Sequence, residues 1–223
     1  MKIITEMEKI SVFIVDDHKI FRDGMKALIS RFPYLELAGE AADGSEFLEK
    51  LKNITPDIVF MDIRMSGING LEATKTALGI NRNLKIIVLT TFLEEDYVEQ
   101  MIMAGVEGYM LKNSELDEFD KAIKRVYHGG NYFSEEIVTI LLGNIGRIKN
   151  RKSENQYTEK FTPREIEILE LICKGLSNDQ IAETAFISVK TVEKYKSNLF
   201  QKTNTQNTVN LVIHAFKNRL VDF

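Results

Sequence analysis

Apolar residues along the first 128 positions switch between two periods. Short apolar, β-branched runs read as buried strands at Ile10–Val15, Leu35–Ala38, Asp57–Met61, Leu84–Thr90 and Gly108–Leu111. Between them the apolar positions recur at helical spacing: Phe21, Met25, Leu28 and Ile29; Phe47, Leu48 and Leu51; Leu71 to Leu78; Val98 to Ala104; Leu116 to Val126. Five strands alternating with five helices predict an α/β, doubly wound, five-stranded parallel sheet. At His128-Gly129-Gly130 the pattern breaks. Ser134–Leu142 predicts one more amphipathic helix, and polar, basic Asn144–Lys160 predicts an exposed linker.

From Phe161 onward there is no strand signal. Thr162-Pro163-Arg164-Glu165 supplies an N-cap, a proline at the first helical position and a capping-box glutamate. Gly175 ends that helix, Ser177 caps a second, and Ser188 caps a third that runs to about Lys202. A fourth runs from about Asn207 to Leu220, with Val209, Val212, Ile213, Phe216 and Leu220 on one stripe. The expected organisation is therefore a first domain over 1–128, a linker helix and exposed linker over 129–160, and an all-α four-helix domain over 161–223.

Composition changes this picture in two ways. The 223 residues contain one cysteine, Cys173, which excludes an internal disulfide framework. Charge is divided unevenly: residues 1–146 carry 16 Lys+Arg against 24 Asp+Glu, a net −8, and residues 147–223 carry 13 against 9, a net +4. An acidic first part and a mildly basic second part suggest a different partner for each. The opening MKIITEMEK has no apolar signal-peptide core, and no apolar run approaches the roughly 18 residues of a membrane span, so a cytoplasmic protein without a membrane partner is expected.

In a doubly wound sheet, ligands bind outside the carboxyl ends of the strands. The first strand ends at Asp16 and Asp17, the third at Asp62, the fourth at Thr90 and Thr91, and the fifth supplies Tyr109 and Lys112. Three carboxylates at one edge are costly: at about 4 Å and an effective dielectric of about 20, each pair repels by roughly 4 kcal/mol. A hard divalent cation reverses that cost, and an all-oxygen set suits Mg²⁺. Such a site also holds a phosphoryl group. Lys112 then neutralises its oxygens, Thr90 hydrogen-bonds one of them, and Asp62 is the nucleophile that becomes an aspartyl phosphate.

Asp16-Asp17, the stretch MDIRMSGINGLE around Asp62, Thr90, Tyr109 and Lys112 stand in the order and spacing of a known family. Residues 10–128 resemble a response-regulator receiver domain of two-component signalling. The resemblance implies a sensor histidine kinase as phosphoryl donor to Asp62. It implies Mg²⁺ on Asp17, Asp62 and the backbone carbonyl of Arg64, with Asp16 assisting through water. It also implies that Thr90 and Tyr109 move together on phosphorylation. The chain departs from the family at Ser66, where proline is usual, at Thr91, where a small residue is usual, and at Asn113, where proline is common. His18, His128 and His214 are scattered and receive no role.

The third C-terminal helix, SVKTVEKYKSNLFQKT, places Val192, Tyr195, Leu199 and Thr203 on one face and Lys190, Glu193, Lys194, Ser197 and Gln201 on the other. A polar outer face of that kind suits a DNA major groove. Residues 161–223 resemble the LuxR-type helix-turn-helix, and the whole chain resembles the NarL/FixJ class of response regulators. By that resemblance Glu193, Lys194 and Ser197 face bases of double-stranded DNA, and Lys190, Thr191, Lys196 and Lys202 contact phosphates. The chain is then a transcription factor that dimerises on phosphorylation, with RNA polymerase admitted as a further partner and no enzymatic activity beyond phosphoryl transfer to and hydrolysis from Asp62. Two alternatives stand beside it: a constitutive DNA-binding regulator whose receiver is a dimerisation scaffold, and an aspartate-based phosphohydrolase. The last would place a second aspartate where Arg64 stands.

Overall fold

The computed structural model describes residues 9–91, 93–134, 136, 137, 140, 161–205, 207–218, 220 and 221. The expected helix over Ser134–Leu142 falls largely outside these residues, and the expected linker Asn144–Lys160 falls entirely outside them. By packing, the chain divides into two compact units, Met1–Thr90 and Thr91–Phe223. No described helix is long and apolar enough to cross a membrane.

The first unit runs β1 (Ile10–Val15), α1 (Lys19–Ile29), β2 (Leu35–Ala41), α2 (Gly44–Lys50), β3 (Ile58–Asp62), α3 (Gly70–Ile80) and β4 (Lys85–Thr90). β1 pairs in parallel with β2 and β3, and β3 pairs in parallel with β4. Val12 to Val15, Ile58 to Met61 and Ile86 to Val88 are all buried. Strands covered on both faces need apolar residues at every position, which is why these segments read as continuous runs rather than as alternation. β3 starts one residue later than predicted because the Asp57 carboxylate is used elsewhere. Its Oδ2 accepts hydrogen bonds of 2.7 Å from both the backbone N–H and the hydroxyl of Ser11, fixing the start of β3 beside β1. Asp43 caps α2 by accepting from the N–H groups of Ser45 and Glu46, and Asn69 caps α3 by accepting from that of Glu72.

The second unit begins with α4 (Glu95–Ala104), β5 (Gly108–Leu111), α5 (Leu116–Tyr127) and β6 (Tyr132–Phe133). The strand order is β2-β1-β3-β4-β5-β6, six strands where the sequence pattern predicts five. The extra strand follows from the turn after α5. Gly129 takes the left-handed conformation, with φ +74°, and the chain then runs extended beside β5. Tyr132 N–H donates to the Glu107 carbonyl at 3.0 Å and Ser134 N–H to the Tyr109 carbonyl at 3.1 Å. Two residues are too few to show a hydrophobic period.

Four more helices are described: α6 (Pro163–Cys173), α7 (Asn178–Thr184), α8 (Val189–Thr203) and α9 (Thr208–Lys217). Thr162 and Glu165 form a reciprocal capping box on α6, Ser177 and Gln180 another on α7, and Ser188 accepts from the Thr191 N–H at the start of α8. Ile168, Leu169, Ile172, Ile181, Val192, Leu199, Leu211 and Ala215 form the buried core of these helices. On α9 the core positions are Leu211 and Ala215; of the predicted stripe, Leu220 joins the core just beyond the helix and Val212 packs half-buried against it, whereas Val209 and Ile213 are only half-buried. The face is rotated because Asn207 and Asn210 are buried as well.

Glu165 does more than cap. Its carboxylate, 5% exposed, also receives the Lys202 ammonium at 2.6 Å. Burial pushes the Glu165 carboxyl up, but hydrogen bonds from Lys202 and from the N–H and hydroxyl of Thr162 together outweigh it and hold the group below its ordinary value of 4.5. A carboxyl depressed in the folded state stabilises fully above its unfolded value, and that contribution is lost as pH falls through the folded one. Glu165→Gln is therefore expected to cost about 1–2 kcal/mol at neutral pH and to make the α6 amides less sensitive to acid below roughly pH 4.5, as read by hydrogen exchange.

Candidate cation site and candidate nucleic-acid interface

The end of β1 is clamped before its carboxylates are presented. Arg22 on α1 donates from Nη1 to the Asp16 backbone carbonyl at 2.7 Å, while its Nε pairs with Glu40 of β2 at 3.2 Å. Lys26, one turn further along α1, reaches the other oxygen of Glu40 at 3.0 Å. Arg22 thus ties the β1 terminus to β2, and Lys26 adds a second link from α1 to β2. The Asp16 side chain, 1% exposed, accepts from the His18 N–H at 2.8 Å. That bond turns the chain from β1 into α1.

The end of β3 is held by close backbone packing. Asp62, 5% exposed, accepts on Oδ1 from the N–H of Ile63 at 2.9 Å. The loop after it returns to Gly70, whose N–H donates to the Ile63 carbonyl at 2.9 Å. A Cβ on Gly70 would lie 1.9 Å from the Asp62 carbonyl oxygen. Only a residue without a side chain permits this approach, so Gly70 fixes where the Asp62 carboxylate emerges.

These two strand ends bring Asp16, Asp17, His18 and Asp62 together, with one ligand atom of each lying within 4.8 Å of all the others. Asp17 Oδ1, a buried oxygen, receives no hydrogen bond from the described residues and has His18 Nδ1 as its ion-pair neighbour at 2.8 Å. A buried carboxylate oxygen in that state, beside two more carboxylates, fits a cation. Three carboxylates from two loops make the oxygen-rich set that Mg²⁺ takes. Asp62 is paired in register with Leu89, so Thr90, buried at the end of β4, stands one position beyond it. Tyr109 is fully buried in β5, and Lys112 follows that strand directly. Arg64 is exposed two residues after Asp62.

On α8 the exposed polar residues are Lys190, Glu193, Lys194, Ser197, Gln201 and Lys202, with Thr191 half-buried and Val189 the exposed apolar residue of the first turn. Val192, Leu199 and Thr203 are buried on the opposite side, and Tyr195 packs half-buried against the same core. The helix therefore offers one continuous polar face over about three turns.

Residues 12–124 match the response regulator receiver domain, and residues 159–215 match the bacterial regulatory proteins of the luxR family. The chain is a response regulator with a luxR-type DNA-binding domain. It is 36% identical to the oxygen regulatory protein NreC of Staphylococcus carnosus, over 95% of this chain and 99% of that one. It is 34% identical to the response regulator protein VraR of Staphylococcus aureus, over 95% and 99%. Among solved structures, the response regulator ChrA of a heme-sensing two-component system covers 96% of this chain and is itself covered in full, at 28% identity and a TM-score of 0.52.

In this response regulator two of the lysines expected at DNA phosphates are already engaged. Lys196 is 9% exposed and donates to the Gly129 carbonyl at 2.7 Å and to Asn178 Oδ1 at 3.2 Å. Lys202 holds Glu165. Two further contacts of the same kind had no sequence signal. Asn207 Nδ2 donates to the Ile102 carbonyl at 2.8 Å, and Asn210 Nδ2 donates to the Ile102 and Met103 carbonyls at 3.3 and 3.4 Å. All three receiving carbonyls lie at or just beyond the C-terminal ends of α4 and α5, where helices leave acceptors unsatisfied. His18 also joins the acidic site that sequence reading left without it. Its position directly after an Asp-Asp pair is the only local signal, and it is a weak one.

Proposed function

We propose that this response regulator accepts a phosphoryl group on Asp62 from a sensor histidine kinase in the cytoplasm, and that the modified form dimerises and binds double-stranded DNA through α8. The observation that carries the reading is the buried Asp62 at the end of β3, with its carboxylate beside those of Asp16 and Asp17 at the end of β1. The Asp62 carboxylate oxygen attacks phosphorus as the P–N bond of a phosphohistidine breaks, and the departing imidazole of the kinase takes up a proton. Asp17, Asp62 and the Arg64 backbone carbonyl would hold Mg²⁺, with Asp16 assisting through water, and the ion would supply positive charge to offset the repulsion between these carboxylates and a dianionic phosphoryl group. Lys112 supplies an ammonium and Thr90 a hydroxyl to the phosphoryl oxygens, and Tyr109 shifts with Thr90. Hydrolysis from Asp62 ends the signal.

For DNA, Glu193, Lys194 and Ser197 face bases, and Lys190 and Thr191 meet phosphates. Lys196 and Lys202 join the phosphate set once they leave their present partners. Support for this part comes from the exposed polar face of α8. One small module makes few phosphate contacts, and affinity rises steeply with their number, so pairing two modules is an effective switch. RNA polymerase is the further partner of this reading.

The test is molar mass by light scattering of the full chain with Mg²⁺, with and without beryllium fluoride, which mimics a phosphoryl group on aspartate. A monomer that becomes a dimer with beryllium fluoride, and does not in Asp62→Ala, is expected. A dimer independent of both beryllium fluoride and Asp62 would favour a constitutive regulator in which the receiver is a scaffold.

A further inference from the structure

We infer that Phe186 and Val189 form an apolar edge of the DNA-reading surface and contact the methyl groups of thymine in the major groove. The inference rests on reading α8 as the DNA-facing helix. Phe186 lies in the turn between α7 and α8, two residues before the Ser188 N-cap. Among the described residues, those other than glycine that take the left-handed conformation are Asn204, with φ +54°, and Phe186, with φ +55°. Asparagine enters that region readily, whereas a bulky side chain does so at a cost. Phe186 is also 95% exposed. A large apolar ring thus stands in water at a backbone position that disfavours it, so neither the turn nor the core accounts for the residue. Backbone strain of this kind gathers at functional sites.

The turn itself is pinned on both sides of the ring. The Arg164 guanidinium donates from Nη2 to the Ala185 carbonyl. The Phe186 N–H donates to the Glu183 carbonyl at 3.3 Å, and the Ile187 N–H donates to the Ala182 carbonyl at 2.9 Å. Ala185 is buried in the helical core and Ile187 packs against it. Three residues after Phe186, exposed Val189 opens α8, and Lys190 and Lys194 continue the exposed surface. The apolar pair is therefore continuous with the polar face of α8, at the N-terminal end with which a recognition helix meets base edges. Residues 147–223 carry a net +4, which suits a polyanion. Two side chains are too few for a protein partner, which needs roughly 800 Å² on each side. They suffice for thymine, whose methyl group is the apolar feature that a base pair shows in the major groove and that phenylalanine can contact.

The probe is a duplex enriched by the full chain from a random-sequence library, compared with the same duplex carrying deoxyuridine in place of thymidine, which removes only the methyl groups. Fluorescence anisotropy reads the affinities. The wild type is expected to bind the deoxyuridine duplex about tenfold more weakly. The double variant Phe186→Asn, Val189→Ala is expected to bind both duplexes alike, at the weaker of the two wild-type affinities. Asparagine suits the left-handed turn, so this variant should melt no lower than the wild type. Its salt dependence should be unchanged, since no phosphate contact is lost. An enriched duplex without a recurring thymine, a wild type indifferent to the methyl groups, or discrimination that survives in the variant would overturn the role of Phe186 and Val189 and leave α8 as the DNA-facing helix. A wild type indifferent to the methyl groups, with a variant that binds DNA normally but no longer supports transcription, would assign the ring to RNA polymerase instead. Lys190→Ala and Lys194→Ala are the separate check on α8: if neither weakens binding, that reading fails and the inference falls with it.

Discussion

Asp62→Asn is expected to lose phosphoryl uptake from acetyl phosphate by a factor on the order of 10³ or more, measured by mass spectrometry of the intact chain, because removing a nucleophile is among the largest single-residue effects on a reaction. Asparagine preserves the volume of the side chain and the acceptor oxygen that receives the Ile63 N–H. It removes only the anionic charge. That same removal relieves the repulsion among the carboxylates of Asp16, Asp17 and Asp62, which converge within 4.8 Å. Without a divalent ion, Asp62→Asn is therefore expected to unfold at higher temperature than the wild type, by the equivalent of about 1–2 kcal/mol. With Mg²⁺ the gap should narrow, because the ion stabilises the wild type by mass action and binds the variant less tightly. A variant that lost phosphoryl uptake and was also less stable without metal would mean that Asp62 is chiefly structural.

Gly70→Ala has the next largest expected effect. The new methyl group would meet backbone atoms of Asp62 and Ile63, at 1.9 Å from the carbonyl oxygen and 2.9 Å from the Ile63 Cα. Backbone cannot swing aside as the end of a flexible side chain can, so the α3 N-terminus must lift away from β3. A cost of about 3 kcal/mol is expected, or a melting midpoint lower by roughly 10 °C. Divalent-ion affinity should fall as well, since the same shift moves the Asp62 carboxylate relative to Asp16 and Asp17. Gly79→Ala on the same helix is the control. Nothing lies within 4 Å of a Cβ there, and the position is helical, so alanine should raise stability by about 0.5–1 kcal/mol. Circular-dichroism melting of the two variants with calorimetric Mg²⁺ titration separates the effects. Equal melting midpoints for the two would show that the α3 contact is dispensable.

What was legible in the sequence was local. The strands that end in Asp16 and Asp62 declare themselves because they are apolar at every position and stop at a carboxylate. The capping boxes at Thr162–Glu165 and Ser177–Gln180 are legible because both partners lie three residues apart. Features that depend on distant chain were not. Lys196 reads as an outward cation on a polar helix, yet its acceptor on Gly129 is 67 positions away. Asn207 and Asn210 read as neutral helix residues, yet their acceptors are more than 100 positions away. The rotated face of α9 follows from those same contacts, since burying Asn207 and Asn210 turns Leu211 and Ala215 inward in place of Val209 and Ile213. His18 was missed for a different reason: a histidine beside an acidic pair has the same local pattern whether it is solvated or faces the carboxylates.

The two ends of the sheet have a consequence for how copies of this chain can meet. A sheet that ends in a long, flat strand offers a row of unpaired N–H and C=O groups, and a second chain can extend it by strand addition. Neither terminal strand here offers that template. β6 is only two residues long. β2 is longer, but its pairing with β1 skips a residue at Ala38 between Leu37 and Gly39, which bends the strand, and it carries Glu36 and Glu40. Among the described residues both margins of the sheet therefore disfavour association by sheet continuation, which guards the β-rich part against fibre-like stacking.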